Sequence, residues 1–213
     1  MNAVTENFEK EMIAWRHDFH AHPELNFDLD ITSAKVAKIL KSFGLDVFEG
    51  IGKTGIVAVL KNGNSNKSIG IRADMDALPV KEESDCEYKS THEGKMHACG
   101  HDGHTAMALG AAKYLAETKN FDGTVYFIFQ PDEEKTQGAQ AMINDGLFEK
   151  FSIDEVYAFH NLPGMELGHF ATRAGTITAS ESLFKIELMG QGGHSALPHM
   201  GIDTITCLLY TSD

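Results

Sequence analysis

Cysteine is scarce. Cys86, Cys99 and Cys207 are an odd number at irregular spacing in 213 residues, which excludes the even framework of a disulfide-stapled secreted domain and leaves a reducing, cytoplasmic setting as the expectation. Positive charge is scarce too: 18 Lys and Arg face 31 Asp and Glu, for a formal net charge of -13. A surface this acidic repels polyphosphate backbones and anionic lipid at long range, so nucleic acid and membrane are excluded as partners and small molecules remain. Long apolar runs are missing, with no stretch approaching the roughly 18 residues of a membrane span. The first ten residues show neither the basic nor the apolar segment of a leader. What is present is an ordinary globular composition, 42% hydrophobic and 23% charged, enough for one large domain or one domain plus part of another.

Periodicity predicts the framework. Phe8, Met12, Trp15 and Phe19 recur at helical spacing over residues 5–20, and Pro23 ends the pattern. A second helix is expected with Thr32 or Ser33 as its cap, an apolar face of Val36, Ile39, Leu40 and Phe43, and a stop at Gly44. Short apolar or β-branched runs at 45–48, 55–60 and 68–73 read as strands, and the turn at 62–66 suggests that two of them form a hairpin. A helix over 105–118, a strand over 124–129, a short helix over 139–144 and a strand over 155–159 follow. Strands alternating with helices mean an α/β core. From about Ala179 the texture changes: residues 182–188 alternate like a half-exposed strand, and a glycine-rich loop at 190–199 precedes an expected helix.

The chemistry gathers at strand ends, where ligand sites of α/β sheets lie. Asp74 and Asp76 close one apolar run, Glu133 and Glu134 follow another, and His160 follows a third. Between them residues 96–105 read Met-His-Ala-Cys-Gly-His-Asp-Gly-His-Thr, and Cys99 and His101 offer the thiolate and imidazole that a borderline-soft divalent metal prefers. Neighbouring side chains diverge, so one glutamate of the Glu133-Glu134 pair can bind metal while the other reaches a metal-bound water as a base. The histidines of the Arg16 to Glu24 stretch, without acidic companions at metal spacing, are read as helix-end and packing residues.

Arg-Ala-Asp-Met-Asp-Ala-Leu-Pro, His-Ala-Cys-Gly-His-Asp-Gly-His, Gln-Pro-Asp-Glu-Glu and Gly-Gly-His-Ser-Ala-Leu-Pro-His stand in this order along the chain. Together they resemble the amidohydrolase branch of the metallopeptidase family that holds hippurate hydrolase, N-acetyldiaminopimelate deacetylase and auxin-conjugate hydrolases. The likeness extends over residues 10–206. It implies a mixed-sheet α/β catalytic core with the start of an inserted α+β lid and dimerisation domain, and metal-dependent hydrolysis of the amide of an N-acyl amino acid. It also implies Cys99, His101, Glu134 and His160 as ligands of one or two divalent ions (zinc, manganese, cobalt or nickel) and Glu133 as general base. Asp76 matches the aspartate that orients a metal-ligand histidine, Asp74 stands where the wider family has a histidine, and His194 matches a lid histidine that steadies the oxyanion or the substrate carboxylate. A homodimer through the lid is implied as well. The alternatives are a dipeptidase, a deacetylase with another acyl preference, or a binding protein that keeps the pocket without turnover; the presence of Glu133 argues against the last.

Two departures stand out. Asp132 occupies a place usually held by alanine, where an added acid could raise the pKa of Glu133 or strengthen metal binding. The family's members are also longer and carry a final ligand histidine beyond residue 213. The expected division is therefore an incomplete catalytic domain over 1–178, the beginning of a lid over 179–206, and a tail over 207–213 whose back-translation resembles a sequencing-library adapter.

Overall fold

The computed structural model describes residues 6–180, 182 and 184–210. The chain divides into two compact units, residues 1–164 and 165–213.

The first unit opens with helix α1 (Glu6–Ala21), which buries Phe8 and Phe19. Helix α2 (Asp30–Ser42) begins before the predicted caps, and neither Thr32 nor Ser33 serves as one. The carboxylate of Glu24 accepts the N–H groups of Ile31 (3.2 Å) and Thr32 (2.7 Å) instead, so the orphan donors of this helix are met by a side chain outside it. Gly44, at φ 80°, ends the helix as expected.

Five strands follow, β1 (Asp46–Ile51), β2 (Gly55–Asn62), β3 (Ser68–Asp74), β4 (Gly123–Gln130) and β5 (Glu155–Ala158), in the sheet order β1-β2-β4-β3-β5. The sheet is mixed: β2 is antiparallel to β1 and β4, whereas β3, β4 and β5 run parallel. The predicted hairpin across residues 62–66 does not form. β4 inserts between β2 and β3, with Gly123 opposite Asn62 and Thr124 opposite Ser68, and the hairpin is β1–β2.

Period-two alternation fills both faces. Ile56, Ala58 and Leu60 of β2 with Val125, Phe127 and Phe129 of β4 join Leu29, Val36, Leu40 and Leu109 in one core. Val57 and Ile128 point the other way, onto Met142, Leu147 and Phe151. These come from the short helices α4 (Gly138–Asn144) and α5 (Leu147–Lys150) and the turn after them. Helix α3 (His101–Thr118) joins β3 to β4, starting four residues earlier in the chain than its predicted bound. The C-terminal ends of the three parallel strands therefore face one edge.

The second unit contains a 3-10 turn (Pro198–Met200), an isolated bridge between Gln191 and Ile202, and helix α6 (Thr204–Tyr210), whose first amides at Ile205 and Thr206 are capped by Asp203. The strand expected over 182–188 is absent among the described residues: Phe184, Ile186 and Leu188 are exposed in irregular chain, and Leu183 lies outside them. An alternating pattern makes a strand only when a neighbour takes its backbone hydrogen bonds, and the described residues supply none there. The division after Gly164 precedes the change of texture near Ala179, because the described chain adds no strand to the sheet after β5. Residues 211–213 of the tail lie outside the described residues.

Candidate metal centre

Asp74 ends β3, and Met75 still bonds across to Gln130 of β4, so the turn that follows holds Asp76 at the strand edge with no exposure at all. The Asp76 carboxylate accepts the backbone N–H of Glu133 (3.0 Å) through one oxygen and that of Glu134 (3.1 Å) through the other. A single buried acid thus fixes the backbone that carries both glutamates. The same loop is closed from behind, where Gln137 and Gly138 donate to the Asp132 carbonyl. A Cβ on Gly138 would sit 1.6 Å from the Pro131 carbonyl oxygen, so only glycine fits there. Asp132 adopts φ 47°, a left-handed conformation that aspartate tolerates better than the alanine usual in the resemblance. Its side chain is buried, and burial followed by the nearby Asp76 charge pushes its own pKa up.

His101 opens α3 directly after Gly100 and is fully buried. Its Nδ1–H donates to the Asp76 carbonyl (2.8 Å), which turns the Nε2 lone pair towards Glu133 Oε2 and Glu134 Oε1, both 3.8 Å away. His160, two residues beyond β5, repeats the device: Nδ1–H donates to the Asn161 carbonyl (2.7 Å) and Nε2 faces Cys99 Sγ at 3.4 Å. An imidazole whose Nδ1–H is tied to a carbonyl presents Nε2 in the form that ligates a metal. His101 Nε2 and Glu134 Oε1 are both buried without a hydrogen-bond partner. Unmet buried donors and acceptors of this kind mark an ion or water site. Cys99, His101 and His160 bring one donor atom each within 4.8 Å of one another, and so do His101, Glu133 and Glu134.

The electrostatics agree. Burial, and then the charges of Glu134, Glu133 and Asp74, push the Cys99 thiol up to about 12. Burial likewise raises Glu134, with Glu133 and Asp76 adding to it against the opposing pull of His101. Negative charge is in excess at this point, and a divalent cation offsets it. Sulfur, two imidazoles and carboxylate form a donor set suited to such an ion.

The structure thus brings together Cys99, His101, Glu133, Glu134, His160 and, behind them, Asp76. His194 belongs to the second unit, where its Nδ1 accepts the Ala196 N–H. Asp74, whose role the residues alone leave open, is fully engaged: His104 Nδ1 meets Oδ1 at 2.6 Å and Arg72 Nη1 donates to Oδ2 at 2.6 Å. Burial opposes its charge, but the His104 bond and the Arg72 and His101 charges outweigh it and hold the carboxyl down at about 2. His104 is the residue the sequence reading passed over. Its signal was the spacing of three from His101, which puts the two rings on one side of α3, 5.4 Å apart.

The histidines of the opening stretch differ: His17 packs as expected, whereas His20 has acidic companions that the sequence does not place beside it. His20 is buried between Asp102 Oδ2 (2.8 Å) and Glu82 Oε1 (3.2 Å), and His17 stacks on Tyr88 at 3.7 Å. His97 is buried with neither ring nitrogen hydrogen-bonded, and burial pushes it down to about 4.

Among the described residues no helix is long and apolar enough to cross a membrane. The chain is 50% identical to hippurate hydrolase of Campylobacter jejuni over 207 residues, 96% of this chain and 54% of that protein. It is 39% identical to N-acyl-L-amino acid amidohydrolase of Geobacillus stearothermophilus over 204 residues, 95% of this chain and 55% of that one. The crystal structure of the Bacillus subtilis YXEP protein, a dinuclear metal binding peptidase, superposes with a TM-score of 0.73 at 36% identity, over 77% of this chain and 46% of that chain. The chain spans about half the length of the curated relatives it matches. Residues 70–205, which carry the whole cluster from Asp74 to His160, match the model of peptidase family M20/M25/M40, and the chain belongs to that family.

Proposed function

We propose that the whole protein is a metal-dependent amidohydrolase that cleaves the amide of N-acyl amino acids, with one or two divalent ions held by Cys99, His101, Glu134 and His160. The observation that carries this reading is the grip of Asp76 on both glutamate amides, which sets two carboxylates at equal distance from the unpartnered Nε2 of a buried histidine. A bound ion supplies polarisation of a carbonyl and acidification of water. The side chain of Glu134 is 18% exposed and that of Glu133 is 39% exposed, so the more open Glu133 is assigned as base. Its carboxylate takes a proton from the attacking water and returns it to the leaving amine nitrogen. Asp76 keeps both glutamates and His101 in register.

Zinc, manganese, cobalt and nickel all suit the donor set. The half-identical hippurate hydrolase supports an acylated amino acid as substrate, and we carry forward from the family resemblance the role of His194 at the oxyanion or substrate carboxylate and homodimerisation through the lid. A cytoplasmic setting is consistent with Cys86 and Cys99 standing outside any disulfide.

The test is a pair of variants in the whole protein. Glu133→Gln should keep its metal content and lose several orders of magnitude in turnover of N-acetyl, N-benzoyl or N-succinyl amino acids, whereas Glu134→Gln should lose metal. Elemental analysis beside turnover decides, and equal metal loss in both variants overturns the division of roles.

A further inference from the structure

His104 lies one helical turn behind His101 and is buried. One ring nitrogen meets a strand and the other meets a loop. Nδ1 is 2.6 Å from Asp74 Oδ1 at the end of β3, and Nε2 accepts the backbone N–H of Asn161 at 3.1 Å. An accepting Nε2 leaves the proton on Nδ1, so the ring donates to Asp74 and receives from Asn161. Asn161 Oδ1 stands 2.5 Å from the same Nε2; two acceptors do not bond, so with Nε2 accepting the backbone N–H the side-chain amide is assigned with its NH2 end turned to the ring.

Asn161 follows His160, and the His160 and His104 rings lie 4.6 Å apart. Gly100 makes room for this arrangement. A Cβ at that position would stand 2.3 Å from Asn161 Oδ1, so the side chain of Asn161 fills the slot that the glycine leaves beside Cys99 and His101.

We propose that His104 is a positioning residue: it latches the His160-Asn161 loop to Asp74 of β3 and to the start of α3, and so holds the His160 half of the metal centre in register with the Cys99-His101 half. The inference rests on the metal reading above. Without the latch, His160 hangs on a short exposed run after the four residues of β5, at the edge of the sheet. With it, a buried carboxylate, a buried imidazole and a backbone amide fix where the His160 ring can point. Outer groups that orient ligands in this way commonly carry a factor of about 10–100 in metal affinity.

Two substitutions separate latching from packing. Glutamine at 104 places its amide where Nε2 was, and its carbonyl oxygen can still accept the Asn161 N–H. Asparagine places its amide where Nδ1 was, so it can still donate to Asp74 but releases Asn161. The experiment measures zinc(II) affinity by chelator competition, and amide hydrogen exchange at Asn161 in the metal-free state, for the full chain and for His104→Gln, His104→Asn and His104→Ala. Zinc affinity should fall by about 10–100-fold in the asparagine and alanine variants, with accelerated exchange at Asn161, and His104→Gln should retain most of both.

Asn161→Ala, which truncates an exposed side chain and leaves the backbone bond, should fall between these results and serves if the position 104 variants do not fold. Unchanged exchange in His104→Asn overturns the latch. Accelerated exchange with unaltered zinc affinity overturns the positioning role, as does equal damage by Gln and Asn. A parent chain that binds no zinc refutes the metal reading and the positioning role with it, a failure visible in the parent and so distinct from one confined to the variants.

Discussion

His20 and His101 are both buried imidazoles set among carboxylates with a cysteine close by, and both clusters have donor atoms near enough to hold an ion. Around His20 most of those atoms are spent, and the one left over, Asp102 Oδ1, has no second unmatched atom of the cluster facing it. Its two nitrogens meet Asp102 and Glu82, and the Glu82 oxygens also receive Ser84 Oγ (2.5 Å) and the Ser90 N–H (2.6 Å). Around His101 they are not: Nε2 and Glu134 Oε1 stay unmatched, and burial, with the Glu133 and Asp76 charges, raises Glu134 against the pull of His101. Ligand-type residues in proximity therefore say little, and what distinguishes a metal centre from a structural ion pair is capacity left over after local bonding.

The largest effect that would break this contrast is on stability. His20→Ala removes the imidazole from a buried charged network and leaves Asp102 to Arg16 and Glu82 to Ser84 and Ser90, a loss of about 3–5 kcal/mol in similar settings. Zinc affinity should change by no more than about threefold, since outer residues that do orient ligands carry at least tenfold. Urea unfolding beside zinc titration checks both, and a drop in zinc affinity as large as that of Glu134→Gln would show that the clusters are one site.

The converse substitution should behave oppositely. Glu134→Gln replaces a carboxylate that burial and neighbouring acids raise, and whose Oε1 has no hydrogen-bond partner, by a neutral group, so the metal-free protein should lie within about 1 kcal/mol of the parent or above it. Zinc at a hundred times its dissociation constant should stabilise the parent by about 2.7 kcal/mol and leave the variant's melting temperature unmoved. A variant stabilised as much as the parent would remove Glu134 from the ligand set.

The same contrast explains what could be read without coordinates. The residues of the centre were legible because thiolate, imidazole and carboxylate types stand at the ends of apolar runs, and those runs became β3, β4 and β5 with parallel ends at one edge. Local features were legible too, such as the stop of α2 at Gly44. What escaped was long-range. The turn at 62–66 looks like a hairpin until β4, arriving from residue 123, takes the place between β2 and β3. The cap of α2 comes from Glu24, outside the window in which a cap is sought. The role of Asp74 depends on His104, thirty positions away, and that of His104 on Asn161, fifty-seven further. Spacing along the chain reports neighbours on an element, and these partners meet only because the sheet order brings separate elements together.

The smallest expected effect sharpens the comparison through pH. Hydrogen bonding to Asp102, opposed by burial and assisted by Glu82, raises His20 above 6.5. A group whose pKa rises on folding stabilises the fold fully below its unfolded value, so this contribution is complete below pH 6.5 and drains away as pH climbs through the raised folded value. Glu82 has the opposite sign. Burial works against its charge, but bonds from Ser84, Ser90 and His20 prevail and hold it at about 2, from an ordinary 4.5. Its contribution is complete above pH 4.5 and is lost as pH falls towards about 2. The two windows overlap between 4.5 and 6.5, and there the stability gap between the parent and His20→Ala should be widest. Urea midpoints at pH 5.5 and 8.5, with metal removed by chelation, should show the gap narrowing by something on the order of 1 kcal/mol at the higher pH. A gap that widens with rising pH would mean that His20 is held neutral and that Asp102 and Glu82 are balanced by something else.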